Sequence, residues 1–143
     1  AALLGLNFST HSQAHLLRAG QEGIVFALVY GLEIMRQMGV QVRTVRAGNA
    51  NMFLSPVFRE AFVNTGNVTL ELYNTDAAQG AARGAGVGAG VYATLADAFG
   101  SLERILTLAP DPQLQVQYET AYRRWHKALT QQILTPNPIL PNG

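Results

Sequence analysis

The sequence predicts an α/β fold in which helices pack on a small sheet and a helical extension closes the chain. Three observations predict it. Apolar residues recur at helical spacing from Gln13 to Met38, two short runs (VQVRTV at 40–45 and NVTLELYN at 67–74) alternate or are β-branched, and helix-start residues follow each run closely. Such alternation implies a layered α/β structure, whose ligand sites tend to lie outside the carboxyl ends of the strands.

Taken in order, Leu17, Ile24, Leu28, Met35 and Met38 fix the first helix, and its apolar central run is that of a helix buried all round. Gly39 is its expected stop. In the first strand Val40 and Val42 share one face and Gln41 and Arg43 the other. Ser55 followed by Pro56 reads as an N-cap with proline at the first helical position, and Gly66 ends that helix. Val68, Leu70 and Leu72 alternate with Thr69 and Glu71 in the second strand, after which Asp76 caps a third helix. Gly80, Gly84 and Gly88 would line one face of that helix. Its five glycines, counting Gly86 and Gly90, cost about 5 kcal/mol relative to alanine, which predicts close backbone packing as compensation. Asp111 and Pro112 open a last helix carrying Tyr118, Tyr122 and Trp125, and residues 133–143 form a proline-rich tail that is not helical.

The bulk composition narrows the function. At 143 residues the chain has the size of one domain. Its 48% apolar and 13% charged residues exclude a disordered chain, and they point to some apolar surface being covered by a partner or by further sequence. A net charge of +1, with one lysine, Lys127, among ten basic residues, provides no stripe for nucleic-acid phosphates. No cysteine is present, so neither disulfides nor thiolate chemistry is available, which fits the cytoplasm. The apolar run from Ile24 to Leu32 falls short of the ~20 residues that span a bilayer. The first residue is not Met and no signal-peptide pattern follows, so the chain is expected to begin inside a longer one.

Catalytic motifs are sparse. GAGVGAG lies inside the predicted third helix instead of bridging a strand and a helix start, and it lacks the Gly-Lys-Ser/Thr ending of a phosphate-binding loop. His11 and His15 have the spacing of a helical zinc pair, but Ser12 stands where a metalloprotease has glutamate, and no third ligand is evident. His11 and Ser12 are better placed in the cap of the first helix. No serine sits in a G-x-S-x-G elbow, and Glu22, Glu33, Glu60 and Glu71 suggest solvated faces or caps. The stretch AGNANMF, residues 47–53, is more informative. Small residues at a strand end let backbone N–H groups converge on an anion, and Asn side chains suit a purine edge, although an ordinary strand-to-helix turn also favours Gly and Asn.

Four segments in this order, HLLRAGQEGIVFAL, VRAGNANMFLSPVF, ELYNTDAAQGAARGAGVGAG and YETAYRRWHKAL, resemble the carboxyl-terminal part of the FGGY carbohydrate kinases, and among them the xylulokinase branch. The resemblance runs from Gly5 to about Leu129 and makes residues 1–132 the carboxyl-terminal part of a nucleotide-binding domain. It implies part of an actin-like, ribonuclease-H-like ATPase domain that transfers the γ-phosphate of ATP, with Mg2+, to a sugar hydroxyl, here a pentulose. By motif the nucleotide contacts would be Ala47, Gly48 and Asn49 through backbone and Asn51 through its side chain. The family's glycine run is broken at Ala47 and Asn49, where a Cβ limits backbone approach. The resemblance places the catalytic base and the sugar-binding residues upstream, so these 143 residues alone are expected to be inactive. The partner implied is a small sugar, with a homodimer possible. A helix-rich interaction or dimerisation module, using the glycine face and the aromatic stripe, is the second reading.

Overall fold

A computed structural model describes residues 2–134. Eight elements follow one another: α1 (Gln13–Gln37), β1 (Thr44–Gly48), α2 (Pro56–Gly66), β2 (Thr69–Tyr73), α3 (Ala77–Gly88), α4 (Leu95–Phe99), β3 (Arg104–Leu108) and α5 (Pro112–Leu134). A 3₁₀ turn, Asn51–Leu54, leads into α2. The expected proline-rich tail at 133–143 lies almost wholly outside the described residues.

The sheet has three strands in the order β1-β2-β3. β1 and β2 run parallel with Thr44 opposite Thr69 and Gly48 opposite Tyr73, whereas β3 is antiparallel to β2. A parallel pair needs a crossover, and α2 supplies it. Leu70 and Leu72 on β2 are fully buried, while Thr69, Glu71 and Tyr73 occupy the other face, so the alternation in the sequence is realised residue by residue. Leu70 and Leu72 share one core with Phe58, Ala61 and Phe62 of α2, against which α1 (Val25, Phe26 and Val29) and α5 (Tyr118 and Tyr122) pack in turn.

Local signals explain most boundaries. Ser55 Oγ accepts from Phe58 N at 3.4 Å with Pro56 following, and Asp76 accepts from Gln79 N at 2.8 Å at the head of α3. Gly39, at φ +89°, follows α1, and its N–H returns to the Arg36 carbonyl. α2 ends at Asn67 in the left-handed region, and Arg36 reaches across from α1 to donate to the Gly66 carbonyl at 2.7 Å. His15 Nδ1 accepts from Ser12 N at 3.1 Å and completes a capping box with Ser12 at the start of α1, whereas His11 Nδ1 accepts from Asn7 N at 3.0 Å and closes the turn before it.

Three expectations change. α1 is buried on one face only: Leu17, Ile24, Leu28 and Met35 form an exposed stripe opposite Val25, Phe26 and Val29. The first strand begins at Thr44 instead of Val40, because its pairing is set by β2, which itself starts at Thr69; Val40 stays exposed. The glycine face of α3 packs against nothing described, since a Cβ at Gly80, Gly84 or Gly88 would meet no atom within 4 Å. Close approach occurs instead at Gly86, where a Cβ would lie 2.9 Å from the Tyr92 ring.

Asn64 is the buried polar residue of the core among the described residues. Its Nδ2 donates to the Glu60 carbonyl at 2.9 Å and its Oδ1 accepts from Asp111 N at 2.7 Å, tying α2 to the start of α5. Asn64→Ala is expected to lower stability by about 1–3 kcal/mol, because it strips an amide of its partner at a partly buried junction. Urea denaturation should show a lower midpoint with an unchanged slope.

Candidate functional site

An apolar cleft of about 830 Å³ opens at the carboxyl ends of β1 and β2. One wall is Ile24 and Leu28 of α1 with Phe53 and Phe58; the other is Leu95, Ala96, Phe99 and Leu102 around α4. Between them the strand ends contribute Ala47, Gly48, Tyr73, Thr75 and Asp76, and α3 begins at the rim with Ala77 and Gly80. Because the two strands are parallel, both turns emerge on the same side, which is why residues 47–51 and 73–77 share one cleft.

Three of the four residues singled out in the sequence, Ala47, Gly48 and Asn51, line the cleft, and Asn49 does not. Asn49 N donates to the Tyr73 carbonyl at 2.9 Å and Ala50 N to the Gly48 carbonyl at 2.8 Å, so these two N–H groups hold the turn together and do not form an anion nest. Asn51 is exposed and adopts φ +53°, a left-handed conformation that Asn tolerates better than most residues. Gly48 has a cause inside the chain: a Cβ there would lie 2.3 Å from the Thr75 carbonyl oxygen. Where the sequence suggested room for a ligand, the structure shows one backbone turn pressed against the other.

The outer face of the sheet carries the strongest charge cluster beside the cleft. Glu71, 12% exposed, accepts from Arg46 Nε at 3.0 Å, from Arg104 at 2.7 Å and from the Tyr73 hydroxyl at 3.1 Å. The Arg46 hydrogen bond, then that of Arg104, holds the Glu71 carboxyl below its ordinary value of 4.5, and the same contact raises Arg46. The other glutamates singled out also have structural partners: Glu22 with Arg18, Glu60 with the Tyr118 hydroxyl, and Glu33 with the Tyr122 hydroxyl at 2.7 Å. Burial, followed by these hydrogen bonds to carboxylates, pushes both phenols above their usual range. Among the described residues no three His, Cys, Asp or Glu side chains gather to hold a metal ion, and no helix is long and apolar enough to cross a membrane.

The cleft walls escaped the sequence because they come from α1, α4 and the loop to β3, each contributing an ordinary apolar residue with no motif around it. The half-exposed Ile24 and Leu28 were the available signal, but their spacing read as core.

This mixed α/β arrangement has the fold of known sugar-kinase structures. The xylulose kinase of Rhodospirillum rubrum is similar at a TM-score of 0.69 and 22% identity, covering 92% of this chain and 27% of that one. A xyloylose kinase from Brucella ovis gives 0.72 and 24% identity, over 94% and 28% of the respective chains. In sequence the chain is 29% identical over 120 residues to a probable L-xylulose kinase of Pasteurella multocida, covering 84% of this chain and 24% of that protein. It is also 29% identical over 135 residues to the xylulose kinase of Haemophilus influenzae, covering 92% and 27%. No family model matches. The chain spans about a quarter of the length of the relatives it matches. The resemblance to FGGY carbohydrate kinases of the xylulokinase kind, carried in the sequence by four short segments, is borne out.

Two outcomes follow from this geometry. Gly48→Ala should cost about 1–3 kcal/mol of stability, since the new Cβ, fixed in place by its own backbone, meets the Thr75 backbone carbonyl and neither can rotate away. Thermal unfolding of the ligand-free protein measures it. For Glu71 the folded value lies below the unfolded one, so its contribution is present above the unfolded value and is lost as pH falls through the folded one. The stability difference between the wild type and Glu71→Gln should therefore shrink in acid below pH 4.5 and stay constant through neutrality.

Proposed function

We propose that the chain is the nucleotide-binding portion of an ATP-dependent carbohydrate kinase that transfers the γ-phosphate to a pentulose hydroxyl, with xylulose giving xylulose 5-phosphate as the favoured reaction. In this proposal residues 1–132 are the carboxyl-terminal part of an actin-like, ribonuclease-H-like ATPase domain acting in the cytoplasm. The observation that carries it is the apolar cleft at the carboxyl ends of parallel β1 and β2, on whose rim stand Ala47, Gly48 and Asn51. A cleft of about 830 Å³ falls in the range of small-molecule sites. Its apolar and aromatic walls suit a purine and ribose, and Asn51 offers both a donor and an acceptor to a base edge. Asn49 enters only through its carbonyl or side chain, because its N–H is bound to Tyr73.

Phosphoryl transfer relies on positioning and on charge stabilisation by magnesium and fixed donors. In the proposal Mg2+ comes with the nucleotide phosphates, and the base that takes the sugar proton belongs to the part of the kinase outside this chain. Of the exposed stripe, Ile24 and Leu28 face the cleft, and Leu17 and Met35 are then covered by that remainder. The same stripe would serve an interaction module, the second reading, and calorimetric titration with ATP separates the two because such a module gives no nucleotide heat.

Asn51→Ala tests the proposal in the full-length kinase. Adenine lies far from the transferring phosphoryl group, so a lost base contact weakens ground and transition states equally. One neutral hydrogen bond at about 0.5–1.5 kcal/mol gives a roughly two- to twelve-fold rise in KM for ATP, with kcat and the sugar KM unchanged. An unaltered KM for ATP removes Asn51 from the site.

A further inference from the structure

Among the described residues that line the cleft, Arg46 is the one basic residue and Asp76 the one acidic residue. The Asp76 carboxylate is committed to the head of α3, where Oδ1 accepts from Gln79 N at 2.8 Å and Oδ2 accepts from the Gln79 amide at 3.4 Å. Arg46 differs. Glu71 takes its Nε at 3.0 Å and the Tyr73 side chain interacts with it as well, yet the Arg46 side chain is 73% exposed at the cleft. Glu71 is itself clamped, by Arg104 from β3 on one oxygen and by Arg46 and the Tyr73 hydroxyl on the other. Residues of three adjacent strands, Arg46, Glu71 with Tyr73, and Arg104, thus meet at Glu71 beside the cleft. The cluster of two arginines and one carboxylate keeps a surplus positive charge.

We propose that Arg46, held at its Nε edge by Glu71, is the anion-receiving group of this cleft and takes a phosphate of the bound nucleotide. The assignment rests on the nucleotide function proposed above. Glu71 is a positioning residue in it, and Arg104 stabilises Glu71 without lining the cleft. A guanidinium whose Nε is occupied still presents two terminal nitrogens in a plane, the geometry that matches two phosphate oxygens. The walls beyond it are apolar, so a ligand would lay its ring system inward and its charge at Arg46.

The test is calorimetric titration at low ionic strength with two probes, sodium tripolyphosphate and adenosine, on the wild type, Arg46→Gln, Arg46→Lys and Arg104→Gln. The expected result is that Arg46→Gln weakens tripolyphosphate about three- to ten-fold, a loss reduced from that of a buried charged contact by the exposure of the site. Arg46→Lys should keep part of the affinity, Arg104→Gln should stay within about twofold of wild type, and adenosine should bind equally to all four proteins. Equal losses in Arg46→Gln and Arg104→Gln would reduce the effect to net charge and overturn the assignment. So would unchanged tripolyphosphate binding in Arg46→Gln, its absence in the wild type, or a parallel loss of adenosine. Adenosine failing to bind any of the proteins, with tripolyphosphate still dependent on Arg46, would sink the nucleotide function and retain the anion site. Ligand-free thermal midpoints identify any variant that is merely unfolded, in which case Arg46→Lys, which preserves the charge, decides.

Discussion

Everything in this fold depends on the burial of α2. It connects two parallel strands and must therefore cross a sheet face, and it does so with Phe58, Ala61, Phe62 and Val63 each at most 3% exposed. α1 and α5 pack on its remaining sides. Phe53, in the 3₁₀ turn, stands edge-on to Phe58 and Phe62 with ring centroids at 5.3 and 5.6 Å. One phenyl ring thereby anchors the turn to the core. Asn51 and Met52 remain exposed, yet they are held at the cleft mouth by a neighbour two or fewer residues away.

That dependence explains which parts of the structure could be read from the sequence. α2, β2 and the heads of α3 and α5 were legible because each carries its own chemistry: Ser55 before Pro56, strict alternation at 68–72, Asp76, and Asp111 before Pro112. β3 was not, since Ile105 and Leu106 are adjacent apolar residues on an edge strand, and only pairing with β2 makes the segment a strand. α4, at five residues, is too short to show a period. In the site, the turn was legible but its mechanics were not. Composition shows that Gly48 needs to be small, and only the tertiary fold shows that the Thr75 carbonyl is the reason.

The apolar faces of α1 and α3 make a complementary point. Periodicity reports that a surface is apolar or small, never what lies opposite it. Leu17, Ile24, Leu28 and Met35 share a stripe that a buried helix would also show, and the α3 glycines imply a close neighbour that the described residues do not include. The two elements differ in how they meet the cleft. α1 gives it side chains, Ile24 and Leu28, whereas α3 gives it Ala77 and Gly80, which leave the opening wide.

The placement of charge separates binding from chemistry. A general base needs a carboxylate free to take a proton. Here Glu22, Glu33, Glu60 and Glu71 each accept from an arginine or a tyrosine, while Asp76 and Asp111 accept from backbone N–H groups at helix starts. Glu71 is moreover held in its ionised form, which suits an anchor and disqualifies it as an acid. The carboxylates singled out in the sequence are thus spent on holding the frame, and at the cleft what is left is an apolar enclosure, an amide and a guanidinium. Groups of that kind bind ground and transition states alike unless a moving part brings them closer as the reaction proceeds. In a kinase built on this segment, any acceleration it contributes would come through closure of the remaining lobe over the cleft, with α1 and its exposed stripe as the nearest surface for that lobe to meet.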